Sequence, residues 1–281
     1  MTDRGPASSA HLRDPREPFI PSRDYGKTPV LECRALCMEF GGLTAVDDFN
    51  LSVAPTEIAG LIGPNGAGKT TVFNLLTKVY QPTRGDMFLN GINTRGMSTV
   101  KANKAGMART FQNIRLFKEM TVLENVLVGL HNGTKCNLAE ALLRLPAYWR
   151  AERAARERSY ELLSIFNMQG DADKKAGSLP YGSQRRLEIV RALATKPVVL
   201  LLDEPAAGMN PSETGELMEN IRKIRDTLHI AILLIEHDMH LVMNICEGIA
   251  VLNYGRLIAK GTPSEIQNNP MVIEAYLGKG R

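Results

Sequence analysis

Eight consecutive residues have the types and spacing to hold a chain of phosphates: Gly63-Pro64-Asn65-Gly66-Ala67-Gly68-Lys69-Thr70, a complete G-x-x-x-x-G-K-[ST] pattern. Gly63, Gly66 and Gly68 let the backbone wrap close enough for its N–H groups to point at phosphate oxygens. Lys69 is placed for the β- and γ-phosphates, and the Thr70 hydroxyl for Mg²⁺. By itself the pattern specifies only a nucleoside triphosphate.

A second set of polar residues stands at the ends of apolar runs. Residues 198–202 run into Asp203-Glu204. In a sheet beside the phosphate loop, Asp203 would hold Mg²⁺ through its water shell. Glu204 would then face the γ-phosphate and polarise the attacking water as general base. An acidic turn that merely caps a strand is the alternative. Residues 230–235 are followed by Glu236-His237-Asp238. A strand there, parallel to the one ending at Asp203, would deliver His237 to the ligand side of the sheet, at the γ-phosphate or the water. A solvated or structural histidine is the commoner use of such a residue. Gln112, in Arg109-Thr110-Phe111-Gln112-Asn113, sits where its amide would touch Mg²⁺ or the water; in isolation it is an ordinary surface glutamine.

These groups need a scaffold, and the rest of the chain is patterned to supply one. Short strand-like runs alternate with helical patterns from Val30 onward, which predicts an α/β fold with a parallel sheet covered by helices. Residues 57–62, 198–202 and 230–235 have the continuous apolar character of buried parallel strands. A helix is expected after the phosphate loop, with Val72, Phe73, Leu75, Leu76 and Val79 at helical spacing. The stretch from about 114 to 178 is helical by pattern and lacks buried-strand runs, so it is expected to be a helical subdomain inserted in the core. Residues 249–253 and 256–260 flank a hairpin turn at Tyr254-Gly255. Thr262-Pro263-Ser264-Glu265 is a helix start with a capping box. Residues 1–28 are polar and hold four prolines, which predicts a flexible extension.

Composition narrows the class. The 281 residues are 44% hydrophobic and 23% charged, values of an ordinary globular chain rather than a disordered or fibrous one. The longest aliphatic run, residues 230–235, is far short of the roughly 20 residues that cross a bilayer. No secretory leader is expected, because the first residues lack an apolar core. A net charge of +4 without a densely basic stretch does not identify a nucleic-acid partner. Cys33 and Cys37 have the spacing of half a metal site with no second pair to complete it. Their separation predicts two reduced thiols packed on one face of a strand. Tyr148-Trp149-Arg150, followed by Arg153, Arg156 and Arg158, is either a solvated helix face or a contact with a membrane surface or partner subunit.

Taken in order, the motifs resemble the ATP-binding subunit of ABC transporters over roughly residues 30–278. Gln112 matches the family's Gln loop, Asp203-Glu204 its second carboxylate motif and His237 its switch histidine. Residues 206–210 match the loop that crosses to the partner subunit. The resemblance implies ATP held by Phe40, stacked on adenine, and by Gly63, Pro64, Asn65, Gly66, Ala67, Gly68, Lys69, Thr70 and Thr71. It implies Mg²⁺ at Thr70, Gln112 and Asp203, and hydrolysis by Glu204, His237, Gln112 and Lys69. Leu179-Pro180-Tyr181-Gly182-Ser183-Gln184 falls at the family signature, which acts in trans on the partner's ATP. Pro180 stands where the family has the serine that donates to the γ-phosphate.

The implied fold is a P-loop NTPase core of ABC-ATPase type over residues 29–281: a mainly parallel sheet with flanking helices, an antiparallel β subdomain and the helical insert. The implied partners are a second ATPase subunit, two integral membrane permease subunits and, indirectly, an extracytoplasmic solute-binding protein. The implied location is peripheral, at the cytoplasmic face of the inner membrane. Residues 108–117, the Leu-x-Tyr-Gly form of the signature and the ending around Asn268-Asn269-Pro270 and Ala275-Tyr276-Leu277-Gly278 are similar to the ATPase of branched-chain amino-acid importers. The relaxed signature is common in that subfamily. Importers of urea or short amides and the lipopolysaccharide-export ATPase are related, and the segment His131–Arg150 favours the amino-acid importer. ABC ATPases that act on DNA or the ribosome usually carry a coiled-coil insertion or two fused units; this chain has neither, and no nucleic-acid partner is expected.

Overall fold

The structure is a computed structural model that describes residues 28–131 and 146–277. Nearly all of the expected N-terminal extension, Cys136, Gly278 and most of the segment 131–150 lie outside the described residues.

Two sheets share the polar and apolar patterning of the chain between them. β1 (Leu31–Phe40), β2 (Leu43–Val53), β4 (Arg84–Leu89) and β5 (Ile92–Asn93) form an antiparallel sheet in the order β2-β1-β4-β5. β3 (Ile58–Ile62), β6 (Met107–Arg109), β7 (Val199–Asp203), β8 (Ala231–Ile235), β9 (Gly248–Asn253) and β10 (Arg256–Gly261) form the second, in the order β10-β9-β3-β8-β7-β6. All its neighbours are parallel except the β9–β10 edge. The three buried strands read from the sequence are β3, β7 and β8, each beginning one residue later than its apolar run.

Side-chain alternation explains why these strands are apolar throughout. Ala59, Leu61, Val199, Leu201, Ala231 and Leu233 face one cluster; Ile58, Ile62, Leu200, Leu202, Ile232 and Leu234 face the other. The first cluster is closed by α1 (Lys69–Leu76) and by Leu31, Phe49 and Leu51 of the antiparallel sheet, with the short α2 (Thr99–Lys104) at its edge. α3 (Val122–Leu130), α4 (Pro146–Ile165), α5 (Tyr181–Ala194), α6 (Pro211–Leu228) and α7 (Met239–Ile245) cover the other face. Apolar surface on both sides of one sheet accounts for two cores in one chain. α8 (Pro263–Gln267) and α9 (Pro270–Leu277) close the described chain. At the start of α8 the Glu265 carboxylate accepts from the Thr262 backbone N–H at 2.8 Å, as the local sequence anticipates. Among the described residues no helix is long and apolar enough to cross a membrane.

Two local expectations are corrected. Val79 does not extend α1: the helix ends at Leu76, Lys78 turns into the left-handed region (φ 60) and Val79 is exposed. Cys33 and Cys37 do not share a face. β1 carries an extra residue at Ala35 (φ 48), so Arg34 to Cys37 on β1 span only Asp86 to Arg84 on β4. This bulge flips the alternation. Cys33 packs in the core with Leu36, whereas the Cys37 sulfur accepts from the Asp48 N–H at 3.3 Å; both thiols are buried and free.

On α4, Arg158 pairs with Glu161 at 2.8 Å and Arg156 with Glu152 at 3.7 Å, while Trp149 is exposed and edge-on to Tyr148.

Candidate active site

The phosphate loop leaves β3 at Ile62 and enters α1 at Lys69. Two of its glycines, Gly63 and Gly68, answer to close approach, and Gly66 to a left-handed backbone (φ +80). A Cβ on Gly63 would lie 2.1 Å from the Leu252 carbonyl oxygen, and one on Gly68 (φ +102) 2.7 Å from that of Ala45. The β9–β10 turn, with Tyr254 (φ 45) and Gly255 (φ 78), locks onto the loop as the Gly255 N–H donates to the Ala67 carbonyl at 2.8 Å. The expected hairpin turn is therefore also a wall of the site. Lys69 Nζ donates to the carbonyls of Gly63 at 2.7 Å and Pro64 at 3.0 Å. Burial pushes its pKa down, and the Glu204 charge pulls it back up. With the α1 N-terminus behind it, the loop presents backbone donors and one cation to an anion.

A cavity of about 440 Å³ opens over this loop, large enough for a nucleotide. It is lined by residues 65–71, by Gln112 and Glu204, and by Leu43, Thr44 and Ala45 of β2. Residues far apart in sequence thus meet on one wall. Gln112 Nε2 donates to Glu204 Oε2 at 3.0 Å. Glu204 itself is in the left-handed region (φ 47), a strained conformation for a non-glycine residue, and its N–H donates to the Ile235 carbonyl at 2.9 Å. His237 is exposed, with Nδ1 3.9 Å from Glu204 Oε2 and 3.8 Å from Glu236 Oε2.

Other residues singled out in the sequence stand outside the cavity wall. Phe40, at the end of β1, packs edge-on against Tyr80 with ring centroids 5.3 Å apart. Asp203 is buried behind the wall, where its Oδ2 accepts from Arg109 Nη2 at 2.7 Å. Its backbone N–H donates to the buried Thr110 hydroxyl at 3.3 Å. None of Leu179, Pro180, Tyr181, Gly182, Ser183 and Gln184 lines the cavity. Pro180 is the N-cap of α5 (φ −54, ψ 153), a position where its missing N–H is no loss. Gln184 Nε2 donates to the Leu179 carbonyl at 2.8 Å and rigidifies the turn. Gly182 is packed so closely that a Cβ would lie 2.8 Å from Glu213 Oε1.

Two charged residues of the site carried no signal of their own in the sequence. Arg109 lies between the rings of Phe73 and Phe111, at 5.5 and 5.2 Å, and also donates to Asn74 Oδ1 on α1 at 2.7 Å. Glu236 is 1% exposed and accepts from the N–H groups of Ala206 at 2.9 Å and His237 at 3.1 Å. Burial raises its pKa against the pull of those donors. It ties the end of β8 to the loop after Glu204. Only its position before His237 pointed to it.

Residues 46–207 match the ABC transporter family, and residues 256–281 match the family described as branched-chain amino acid ATP-binding cassette transporter. The chain is 50% identical over 251 residues to the high-affinity branched-chain amino acid transport ATP-binding protein BraF of Pseudomonas aeruginosa, covering 89% of this chain and 98% of that one. It is equally similar to LivG of Escherichia coli K12, with the same description and the same coverage. Identity to the lipopolysaccharide export ATP-binding protein LptB of Acidithiobacillus ferridurans is 34%, over 89% of this chain and 97% of that one. Among solved structures, an ATP-binding cassette of an ABC transporter in its ADP conformation matches with a TM-score of 0.78 and 28% identity, covering 90% of this chain and all of the other. The phosphate loop, the carboxylate pair after β7 and these likenesses agree: the chain belongs to the ABC transporter family of ATP-binding subunits.

Proposed function

We propose that this chain hydrolyses ATP to power an importer of branched-chain amino acids. The observation that carries the chemistry is the Gln112–Glu204 pair, 3.0 Å apart on the wall of the cavity that the phosphate loop also lines. The 50% identity to BraF and LivG and the match over residues 256–281 carry the choice of cargo.

In this reading the N–H groups of residues 65–70 and the Lys69 ammonium hold the β- and γ-phosphates. Lys69 already stands across the mouth of the loop, so little reorganisation is needed to transfer its donors from carbonyls to phosphate. Phe40 takes the adenine at the turn end of the β1–β2 hairpin, where it pairs with Leu43. The donor set fits Mg²⁺: a Thr70 hydroxyl and a Gln112 amide on the cavity wall, with the Asp203 carboxylate behind them, all hard oxygen ligands. When bound, the ion would neutralise phosphate charge and orient the β- and γ-oxygens. Glu204 accepts a proton from the attacking water, Gln112 orients that water, and His237, with Nδ1 3.9 Å from Glu204 Oε2, donates toward the γ-phosphate.

The six signature residues serve a different ATP, that of a second ATPase subunit docked face to face. The helices between about 114 and 178 form the part of the chain that meets two membrane permeases. A groove of about 280 Å³ lined by Phe117, Val128, Gly129 and Arg191 adjoins the Gln112 segment, and its exposed Phe117 and Val128 suit an apolar partner helix. Such an assembly places the chain at the cytoplasmic face of the inner membrane, with a solute-binding protein on the far side. Reconstitution with its permeases in liposomes tests the proposal. ATP-driven leucine uptake by the wild type, lost by about 100-fold or more in Glu204→Gln with ATP still bound, is the expected result. ATP turnover without uptake of any branched-chain amino acid would overturn the cargo, and undiminished turnover by Glu204→Gln would overturn the chemistry.

A further inference from the structure

Arg185 follows directly on the signature turn, on α5, and is 0% exposed. A guanidinium so deeply placed demands acceptors, and Arg185 takes them from two segments remote from its own helix. Nη1 donates to the Phe111 carbonyl and to Glu188 Oε2, the latter at 3.0 Å. Nη2 donates to the Gln112 carbonyl at 2.8 Å and to the Glu204 carbonyl at 3.1 Å. Glu188, one turn further along α5, completes the clasp: its Oε1 accepts from the Arg115 N–H at 3.2 Å. The backbone of the Gln112 segment is thus stapled to α5 at both ends, and the strained Glu204 is held by the same fork.

We propose that Arg185 is the positioning residue that sets the Gln112–Glu204 pair and ties it mechanically to the signature turn, so that docking of that turn on the partner's nucleotide is felt in this chain's own hydrolytic site. The proposal rests on the ATPase reading above. Three features favour this role over simple structural support. The three carbonyls belong to the two residues whose side chains meet at the cavity wall and to the neighbour of one of them. The four bonds are shared between two nitrogens of one planar group, Nη1 on Phe111 and Glu188 and Nη2 on Gln112 and Glu204, a set that the three N–H donors of a lysine ammonium on a single nitrogen do not reproduce. Arg185 Nε, moreover, is buried without an acceptor among the described residues, an arrangement that stability alone does not favour.

The test uses the full chain with Arg185→Gln combined with Glu188→Gln, so that no buried charge is left unpaired, and Arg185→Lys as the milder variant. ATP turnover in the double variant falls about tenfold or more, while ATP affinity by equilibrium binding moves less than about twofold. Arg185→Lys keeps the thermal midpoint of the wild type yet loses about fivefold or more in kcat. Added to Glu204→Gln, the double variant causes no further multiplicative loss, because both act on one step. Wild-type kcat in Arg185→Lys, or a loss that multiplies with that of Glu204→Gln, overturns the proposal. Amide exchange gives a readout independent of turnover: residues 111–114 and 204–206 exchange about tenfold faster in the double variant while the second half of α5 is unchanged. If the wild type binds ATP without hydrolysing it, the ATPase reading fails by itself. Arg185 is then judged by exchange alone, and unaltered protection of 111–114 sinks it.

Discussion

Arg109 Nη2 lies 2.7 Å from Asp203 Oδ2, with each side chain only 9% exposed. Through Asn74 the same guanidinium reaches α1, the helix that starts at Lys69. The carboxylate assigned to Mg²⁺ is therefore braced from β6 and, through Arg109, registered against the phosphate-binding helix. A charge pair this deep is costly to break from one side, since the survivor has no solvent to fall back on.

Arg109→Met is accordingly expected to destabilise the fold by roughly 3–5 kcal/mol. Urea unfolding measures it, and Arg109→Met with Asp203→Asn should recover part of the loss. A cost under about 1 kcal/mol for the single variant would mean that the pair is open to water.

Phe40 tests the base-binding end. Its ring is 41% exposed and stands beside the β2 residues that line the cavity. Phe40→Ala should weaken ATP binding about tenfold, or about 1.4 kcal/mol. Tripolyphosphate, which has no base, should bind both proteins alike. Equal weakening for both ligands would place the effect in the loop rather than in stacking.

Glu236 makes stability depend on pH. Burial raises its carboxyl above the ordinary value, so the folded chain holds a proton that the unfolded chain releases, near pH 4.3 for a free glutamate. Stability from this group is greatest below that point and is lost as pH rises through the folded value. The thermal midpoint of the wild type, minus that of Glu236→Gln, should thus grow as pH is lowered from 8 toward 4.5. A flat or falling difference contradicts the assignment.

The thiols of Cys33 and Cys246 should be silent in the native chain. Burial pushes Cys33 up to about 12 and raises Cys246 as well. Iodoacetamide at about pH 8 should label neither until denaturant is added, read by mass spectrometry of the two peptides. Labelling of Cys33 without unfolding would show that β1 opens around its bulge at Ala35.

Local chemistry was legible from residues 63–70, 198–204 and 254–255, because each motif is contiguous and its backbone needs are short-ranged. Glycine at 63 and 68, a run of aliphatics before Asp203 and a two-residue turn at Tyr254-Gly255 each constrain only their own neighbourhood. Strand order was not legible. β8 separates the loop strand β3 from the Asp203 strand β7, and nothing local to either motif says so. Nor does local patterning show an extra residue at Ala35, which turned Cys37 away from Cys33.

The chain order of its motifs alone thus settles that this protein binds a nucleoside triphosphate on an α/β scaffold, since a phosphate loop and a buried strand ending in carboxylates are written in neighbouring residues. Which side chains meet was decided only by the fold. Gln112 and Glu204 are 92 residues apart, Arg109 and Asp203 94, and Arg185 grips carbonyls on both sides of that gap. Pairings over such distances come from packing two cores against one sheet, and a buried charge finds its partner only after that packing has excluded water.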